Sequence, residues 1–512
     1  MSSKHQSGEP HSVPTSGLEP ASGSALGSPA LVWVREDLRR DDNPALVAAA
    51  NDGPVAALYV LDDSGTSGRP LGAASRWWLH HSLSDLSTRF AKHGVTLILR
   101  QGDPSVIVPE VVRQIGAKSV HWNRRYYAWS KPLDATIKEV LTDAGISVES
   151  HKGNVLTEPW EIKTGSGGNF KVFTPFFRAA RSVCDTWASF AVDIPYMTAA
   201  PTGACRNDNL ADWQLLPTKP DWSGGLSNAW TPGEDGAKAN LDVFLANGLS
   251  GYKENRNMPA VEGTSRLSPH IHFGEISIRR IWNAAREKMA KEPQLAADGH
   301  TFLAELGWRE FSTQLIYYYE DFHDQSWKPE FRAFPWHVNP VGLSAWQKGH
   351  TGYPIVDAGM RQMWATGWMH NRVRMIVASF MIKHLLQDWR DGEAWFWDAL
   401  VDADIANNAA GWQWVAGSGA DASPYFRIFN PMTQGEKFDP MGKYVRQWVP
   451  EIARLPDRFV HRPFDAPYEI LQAAGVVLGQ TYPHPIVDHA VGRQRALDAL
   501  ASLKFKPEQV PA

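Results

Sequence analysis

Between Leu31 and Glu149 the apolar positions fall in short, nearly continuous runs: Leu31–Val34, Val55–Leu61, Thr96–Leu99, Ser119–Trp122 and Ile146–Glu149. Stretches with helical spacing separate them, at about 43–51, 73–93, 104–115 and 132–144. Strand-type runs alternating with helices predict an α/β unit built on a doubly wound parallel sheet. No G-x-G-x-x-G accompanies these strands, so a conventional dinucleotide site is not expected here. The first loop, Arg35-Glu36-Asp37-Leu38-Arg39-Arg40-Asp41-Asp42-Asn43-Pro44, falls at a strand's carboxyl end, where such folds place ligands. A ligand role and a solvated charged edge are equally compatible with its composition.

The pattern changes after residue 160. Gly165–Gly168, Pro195, Pro201, Pro217, Pro220 and Pro232 break up any period, and Phe173–Arg178 is the one aromatic cluster in this connection that looks packed. Beyond Ala237 strand patterns vanish and helical spacing continues to about residue 503. The predicted organisation is a disordered tail at 1–29, an α/β domain at 30–160, a connection at 161–236, a large all-α domain at 237–503 and a short tail at 504–512. No internal repeat is present.

Composition narrows the classes. With 43% hydrophobic and 21% charged residues the chain reads as an ordinary soluble globular protein. No apolar run is long enough for a membrane span, and residues 1–29 lack the apolar core of a secretory signal. Cys184 and Cys205 are too few for a disulfide framework, which fits a reducing, cytoplasmic setting. The net charge of −4 means that any polyanion must meet a local basic surface. Tryptophan is the anomaly: 23 residues, most of them expected in cores.

Several stretches carry candidate chemistry. In Gly263-Thr264-Ser265-Arg266-Leu267-Ser268-Pro269, Ser268 is a good N-cap and Pro269 a good first helical residue. Hydroxyls and a guanidinium at a helix start suit a phosphate, although an ordinary capped turn has the same look. Glu305, Trp308 and Arg309 share one helical face, either as an intrahelical pair beside a packed ring or as a recognition patch. From His370, the residues Val373, Ile376, Val377 and Phe380 form an apolar stripe, with Asn371, Arg374 and Met375 roughly opposite. Trp389, 18 residues after Asn371, returns to the Asn371 side if that helix runs unbroken. The stretch Asp402–Phe429 then brings Asp402, Asp404, Asn408, Trp412 and Trp414, a loop at Gly417–Gly419, and Tyr425-Phe426-Arg427. No ligand set matching a metal accompanies the two carboxylates, so a partner such as Arg374 for one and a ligand donor for the other is the better expectation. Rings interleaved with arginines are how unpaired bases are held.

These residues resemble the photolyase/cryptochrome family. The resemblance rests on G-T-S-R-L-S at 263–268, W-R-E-F at 308–311, T-G-Y-P-I-V-D-A at 351–358, G-W-M-H-N-R-V-R-M at 367–375 and D-A-D-I-A-N-N-A-A-G-W-Q-W from 402, followed by F-R-I-F-N-P. It covers about 31 to 500. Within the family the likeness is to bacterial cyclobutane pyrimidine dimer photolyases, and W-N-R-R-Y at 122–126 with L-S-P-H-I-H-F-G-E-I-S at 267–277 suggests the class III branch. The resemblance implies FAD in the helical domain, held by Tyr252, Thr264, Ser265, Arg266, Leu267, Ser268, Phe302, Arg374, Asp402, Ala403, Asp404 and Asn408. It implies light-driven electron transfer from reduced FAD to a dimer flipped out of damaged DNA. Trp412, Trp389 and Trp336 match the family's electron-supplying tryptophan chain. Glu305, Trp308, Asn371, Met375 and Trp414 match its lesion pocket, with Glu305 stabilising charge on the base, and Arg256, Arg309, Arg372 and Arg427 are expected on DNA phosphates. Phe302 stands where many members have Trp. The residues that hold an antenna in other members are replaced here by Trp129-Ser130, Arg125 and Tyr127, so methenyltetrahydrofolate bound in the class III manner is the expected second chromophore. A monomer is expected. A (6-4) photolyase, which usually has histidines where Asn371 and Met375 stand, and a cryptochrome that signals without repair are the alternatives.

Overall fold

The computed structural model describes residues 27–63, 68–186, 197–203, 205–421 and 426–503. Most of the expected amino-terminal tail, all of the 504–512 tail, Pro195 and Tyr425 lie outside the described residues.

Strands β1 (Ala30–Val34), β2 (Val55–Leu61), β3 (Leu97–Gln101), β4 (Ser119–Asn123) and β5 (Ser147–His151) form one parallel sheet in the order β3-β2-β1-β4-β5. Helices α1 (Pro44–Asp52), α2 (Ala73–Ala91), α3 (Pro104–Ile115) and α4 (Ser130–Asp143) connect them. The sheet is doubly wound, as its pattern predicts. β1 is buried along its whole length because it is central and covered on both faces. Its alternate residues divide between two cores: Ala30, Val32 and Val34 pack with α1 and α2, and Leu31 and Trp33 with α3. α1 and α3 start alike, with Asn43 and Asp103 as side-chain N-caps followed by Pro44 and Pro104.

The loop after β1 is neither a solvated edge nor a free polar rim. Asp37 accepts from the Arg35 amide (2.6 Å) and from Asn123 Nδ2 (2.6 Å). Arg39 donates to the carbonyls of Gly153 (2.7 Å) and Gly274 (3.0 Å), and Asp42 accepts from Ser277. The loop's charges therefore lock the sheet to the helical region.

Among the described residues no strand follows β5. The connection after it includes a helix, Phe173–Cys184, whose apolar side packs against the long helix Ala296–Tyr318. The helical region meets the sheet through α2: Trp78 Nε1 and Ser82 Oγ both donate to the buried Glu275 (2.9 and 2.7 Å). Its main core gathers helices Pro354–Thr366, Asn371–Ser379, Trp389–Ala399 and Ile405–Ala416. The helix from Asn371 does not run unbroken to Trp389. It passes into a π-helical turn, Phe380–His384, Leu386 turns the chain at φ 56°, and a new helix begins at Trp389. No described helix is long and apolar enough to cross a membrane.

Candidate active site

A cavity of about 570 Å³ opens in the helical region. Its wall is assembled from Tyr252–Ser268, the helix Ala296–Tyr318, the start of the Asn371–Ser379 helix, and the two helices that flank Asp402.

At one end Thr264, Ser265, Arg266, Leu267 and Ser268 line the cavity. Arg266 turns the backbone at φ 52°, and its guanidinium lies 4.2 Å from the Trp230 ring and 5.1 Å from that of Trp368. The short helix begins at Ser268, one residue earlier than its sequence suggests, with Leu267 in the cap position and no side-chain cap. Ser268 does not cap it because its hydroxyl donates to Asp402 Oδ2 at 2.6 Å, a bond strengthened by the carboxylate's charge. Asp402 is also gripped by Arg374 Nη2 at 2.8 and 3.0 Å, and Arg374 Nε donates to the Met369 carbonyl at 2.8 Å. Tyr252 and Phe302 meet edge to face at 5.6 Å and form an aromatic wall beside this end, and Ala403 adds to the lining.

Asp404 is placed differently. Its carboxylate is buried away from the cavity lining, where it caps the helix Ile405–Ala416 by accepting from the Asn407 amide at 2.8 Å. Burial raises its pKa, but the pull of His272 and Arg309, 3.8 and 3.9 Å away, prevails and holds it below the usual carboxylate range. Asn408, one turn along, lines the cavity and donates from Nδ2 to the carbonyl (3.0 Å) and Oε1 (2.8 Å) of Glu393. Glu393 is in turn paired with Arg69 from the α/β unit at 2.8 Å.

Glu305, Trp308, Arg309, Asn371, Met375 and Trp414 also line the cavity. Glu305 pairs with Arg256 at 2.5 Å, across elements and not with Arg309 on its own helix. Its pKa is raised: burial disfavours the carboxylate more than Arg256 stabilises it. Trp308 is backed by Phe173, stacked at 3.7 Å with the planes 7° apart, so one face of the indole is occupied. Arg372 donates to Asn257 Oδ1 at 2.5 Å and lies 4.4 Å from the Phe438 ring. Arg427 is exposed and absent from the lining; its carbonyl accepts from Lys383 Nζ at 2.7 Å.

Trp412 lines the cavity and is almost fully buried, 4.9 Å from the Phe396 ring. It fits against the Trp389–Ala399 helix because position 392 is glycine; a Cβ there would lie 2.1 Å from the indole. Trp389 is fully buried and Trp336 half-buried, both outside the lining but in the same apolar cluster as Trp412. Of the three, Trp412 alone lines the cavity and Trp336 alone is partly exposed.

The donor set suits FAD. Hydroxyls and the guanidiniums of Arg266 and Arg374 at one end match a diphosphate and ribityl chain, and Phe396, Leu400, Trp412 and Val415 offer an apolar bed for a ring system. Sequence reasoning missed Glu393, Arg69 and Asn257. Each acts on a site residue through a contact distant in the chain, so no local pattern marks it.

Comparisons with known proteins agree with this geometry. A family model described as the FAD binding domain of DNA photolyase matches residues 302–502, and one described as DNA photolyase matches 30–197. The deoxyribodipyrimidine photo-lyase of Agrobacterium fabrum is 49% identical, over 93% of this chain and 98% of that protein. Cryptochrome-1 of Arabidopsis thaliana is 38% identical, over 94% of this chain and 71% of that protein. The crystal structure of a class III photolyase from Agrobacterium tumefaciens superposes with a TM-score of 0.90 at 48% identity, covering 95% of this chain and all of the other.

Proposed function

The chain belongs to the DNA photolyase family, and from that premise we propose that it repairs cyclobutane pyrimidine dimers in DNA under blue light with FAD as its cofactor. The observation that carries this reading is one cavity lined both by the hydroxyls and guanidiniums of Thr264–Ser268 and Arg374 and by Glu305, Trp308, Asn371, Met375 and Trp414.

Bound FAD, in its reduced form, supplies the light-driven electron that opens the cyclobutane ring. Thr264, Ser265, Arg266, Ser268 and Arg374 hold its polar chain, and Asp402, locked between Ser268 and Arg374, fixes the cradle's floor. Asn408, on the cavity lining with its amide oriented by Glu393, would meet the ring system. Asp404 works indirectly, by capping the helix that carries Asn408 and Trp412. Trp412, Trp389 and Trp336, which share one apolar cluster, would serve as the electron donors toward FAD, Trp412 from the cavity lining.

The dimer enters flipped out of the duplex, which its distorted stacking makes easier than for a normal pair. Trp308, held flat by Phe173, and Trp414 flank it, while Asn371 and Met375 shape the pocket floor. Burial raises the Glu305 pKa while Arg256 opposes it, so the carboxyl is placed to share a proton as negative charge develops on a base carbonyl, with Arg256 steadying the carboxylate. Arg256, Arg309, Arg372 and Arg427 receive backbone phosphates around the opening.

The test is repair by the purified protein, with reductant and blue light, of thymine dimers in single- or double-stranded oligonucleotides. Restored thymines are expected. Normal FAD binding and photoreduction without any repair would move the chain to the light-sensor reading, which the lower identity of the cryptochrome relative supports less. Asn371 and Met375 argue against (6-4) photoproducts as the substrate.

A further inference from the structure

On the far side of the molecule's chemistry, the edge of the parallel sheet holds a cluster that dimer repair does not use. His121 on β4 and Glu149 on β5 are partners in the strand register, and His151 lies two residues beyond Glu149. Side chains two apart in a strand share a face, so all three project to one side of the sheet. It is the side covered by α1, since the neighbouring Val120, Trp122 and Val148 pack on the other face with α3. One ligand atom from each of His121, Glu149 and His151 lies within 4.8 Å of the others.

The ring nitrogens settle what this cluster can hold. His121 Nε2 is 2.9 Å from Asp52 Oδ2 at the carboxyl end of α1, so that nitrogen carries its proton toward the carboxylate. His121 Nδ1 is left with a lone pair, and it faces His151 Nε2 at 3.2 Å. Two imidazole nitrogens bound tetrahedrally to zinc at ~2.0–2.1 Å stand about 3.3 Å apart. A carboxylate on the distal nitrogen of a ligating histidine is the usual orienting partner of such sites. Glu149 and Asp52 together bring two negative charges to match a divalent cation. Lys152, next to His151 in the chain, is paired with Glu161 (2.9 Å), and Arg124 has its guanidinium turned to Glu158 (2.6 Å) and Ser150.

We propose that His121, Glu149 and His151 bind a divalent cation of the zinc type, with Asp52 orienting His121 and water completing the shell. Imidazole donors select such an ion over magnesium or calcium, which take oxygen ligands. Glu149 is exposed and His151 half-exposed, so the site is open to solvent and needs no unfolding to fill. The ion pins β5, the most exposed strand of the sheet, to β4 and through Asp52 to α1. Its role is to clamp that edge.

The experiment uses untagged, FAD-loaded full-length protein stripped with a chelator and titrated calorimetrically with zinc chloride. One equivalent should bind saturably and raise the thermal midpoint, and magnesium chloride should do neither. His151→Ala should abolish that equivalent, Glu149→Gln should weaken it, and Asp52→Asn should lower affinity about tenfold through His121. Unchanged flavin absorption reports that each variant is folded, and the exposed Glu149 provides a variant whose folding is not at risk. Absence of a saturable equivalent in the wild type, or an equivalent equally strong in His151→Ala and Glu149→Gln, overturns the proposal.

Discussion

Glu305 is caught between burial, which favours the protonated carboxyl, and Arg256, which favours the carboxylate. A proton donor in this position is worth roughly 10²–10⁴ in rate where proton transfer or a preorganised bond matters. Glu305→Ala should therefore lower repair yield by an order of magnitude or more with the flavin spectrum intact, and Glu305→Gln, which keeps a neutral donor, should lose less. An alanine variant with wild-type yield removes the role. Trp412 makes a different prediction, because it touches the cavity and shares an apolar cluster with Trp389 and the half-buried Trp336. Trp412→Phe should slow photoreduction of oxidised protein while leaving repair by previously reduced protein unchanged. Loss of both activities would show that Trp412 shapes the cavity and does not merely supply it. The buried Trp412 indole N–H has no hydrogen-bond partner, so packing against Phe396 and Trp346 holds the ring; the phenylalanine variant keeps most of it.

The long helix Ala296–Tyr318 turns one side to the cavity and the other to the connection between domains. Glu305, Trp308 and Arg309 serve the first, and Glu310 serves the second by accepting from the Leu156 and Thr157 amides at 2.9 and 3.0 Å. Burial pushes the Glu310 pKa up to about 7 from an ordinary 4.5, against the pull of those two amides. A raised pKa means that the folded protein binds the proton more tightly than the unfolded chain. Its stabilising contribution is then complete below about pH 4.5 and lost as pH rises through 7, by up to about 3 kcal/mol. Glu310→Gln keeps an oxygen for both amides and should flatten the thermal midpoint between pH 5 and 8; equal slopes in the two proteins would contradict this. Such pairings explain what the sequence makes legible. The strands show themselves because buried parallel strands are apolar runs, and the Asn371–Ser379 helix shows its two faces because one is core and the other lines a cavity. The π-helical turn at Phe380–His384 has no glycine or proline to announce it; packing of five buried residues imposes it. Ser268 likewise has every local mark of an N-cap, and a carboxylate more than a hundred positions away claims its hydroxyl.

At the scale of the whole molecule the net charge of −4 opposes DNA, so binding depends on where the cations stand. Arg256 and Arg372 line the cavity, and the pKa of Arg372 is lowered by its burial and by the charges of Arg256 and Arg427, which shows that the three cations crowd one region. Cations held against one another in this way are relieved by phosphate, and each phosphate contact releases counterions from the duplex. Arg256 is already committed to Glu305, whereas Arg372 meets the neutral groups Asn257, Met375 and the Phe438 ring and keeps its charge for a ligand. The affinity for an undamaged duplex should consequently fall as salt rises, with a log–log slope of about −0.9 for each phosphate engaged. Arg372→Ala should make that slope shallower by about 1 and weaken damaged and undamaged DNA alike, because a phosphate contact carries no lesion information. Trp308→Ala should do the reverse, reducing preference for the dimer and leaving the slope in place. Anisotropy titrations of both variants between 50 and 200 mM potassium chloride, a range over which such contacts cost orders of magnitude in affinity, separate the two roles. An Arg372→Ala slope equal to that of the wild type would place the phosphate-gripping surface elsewhere on the molecule.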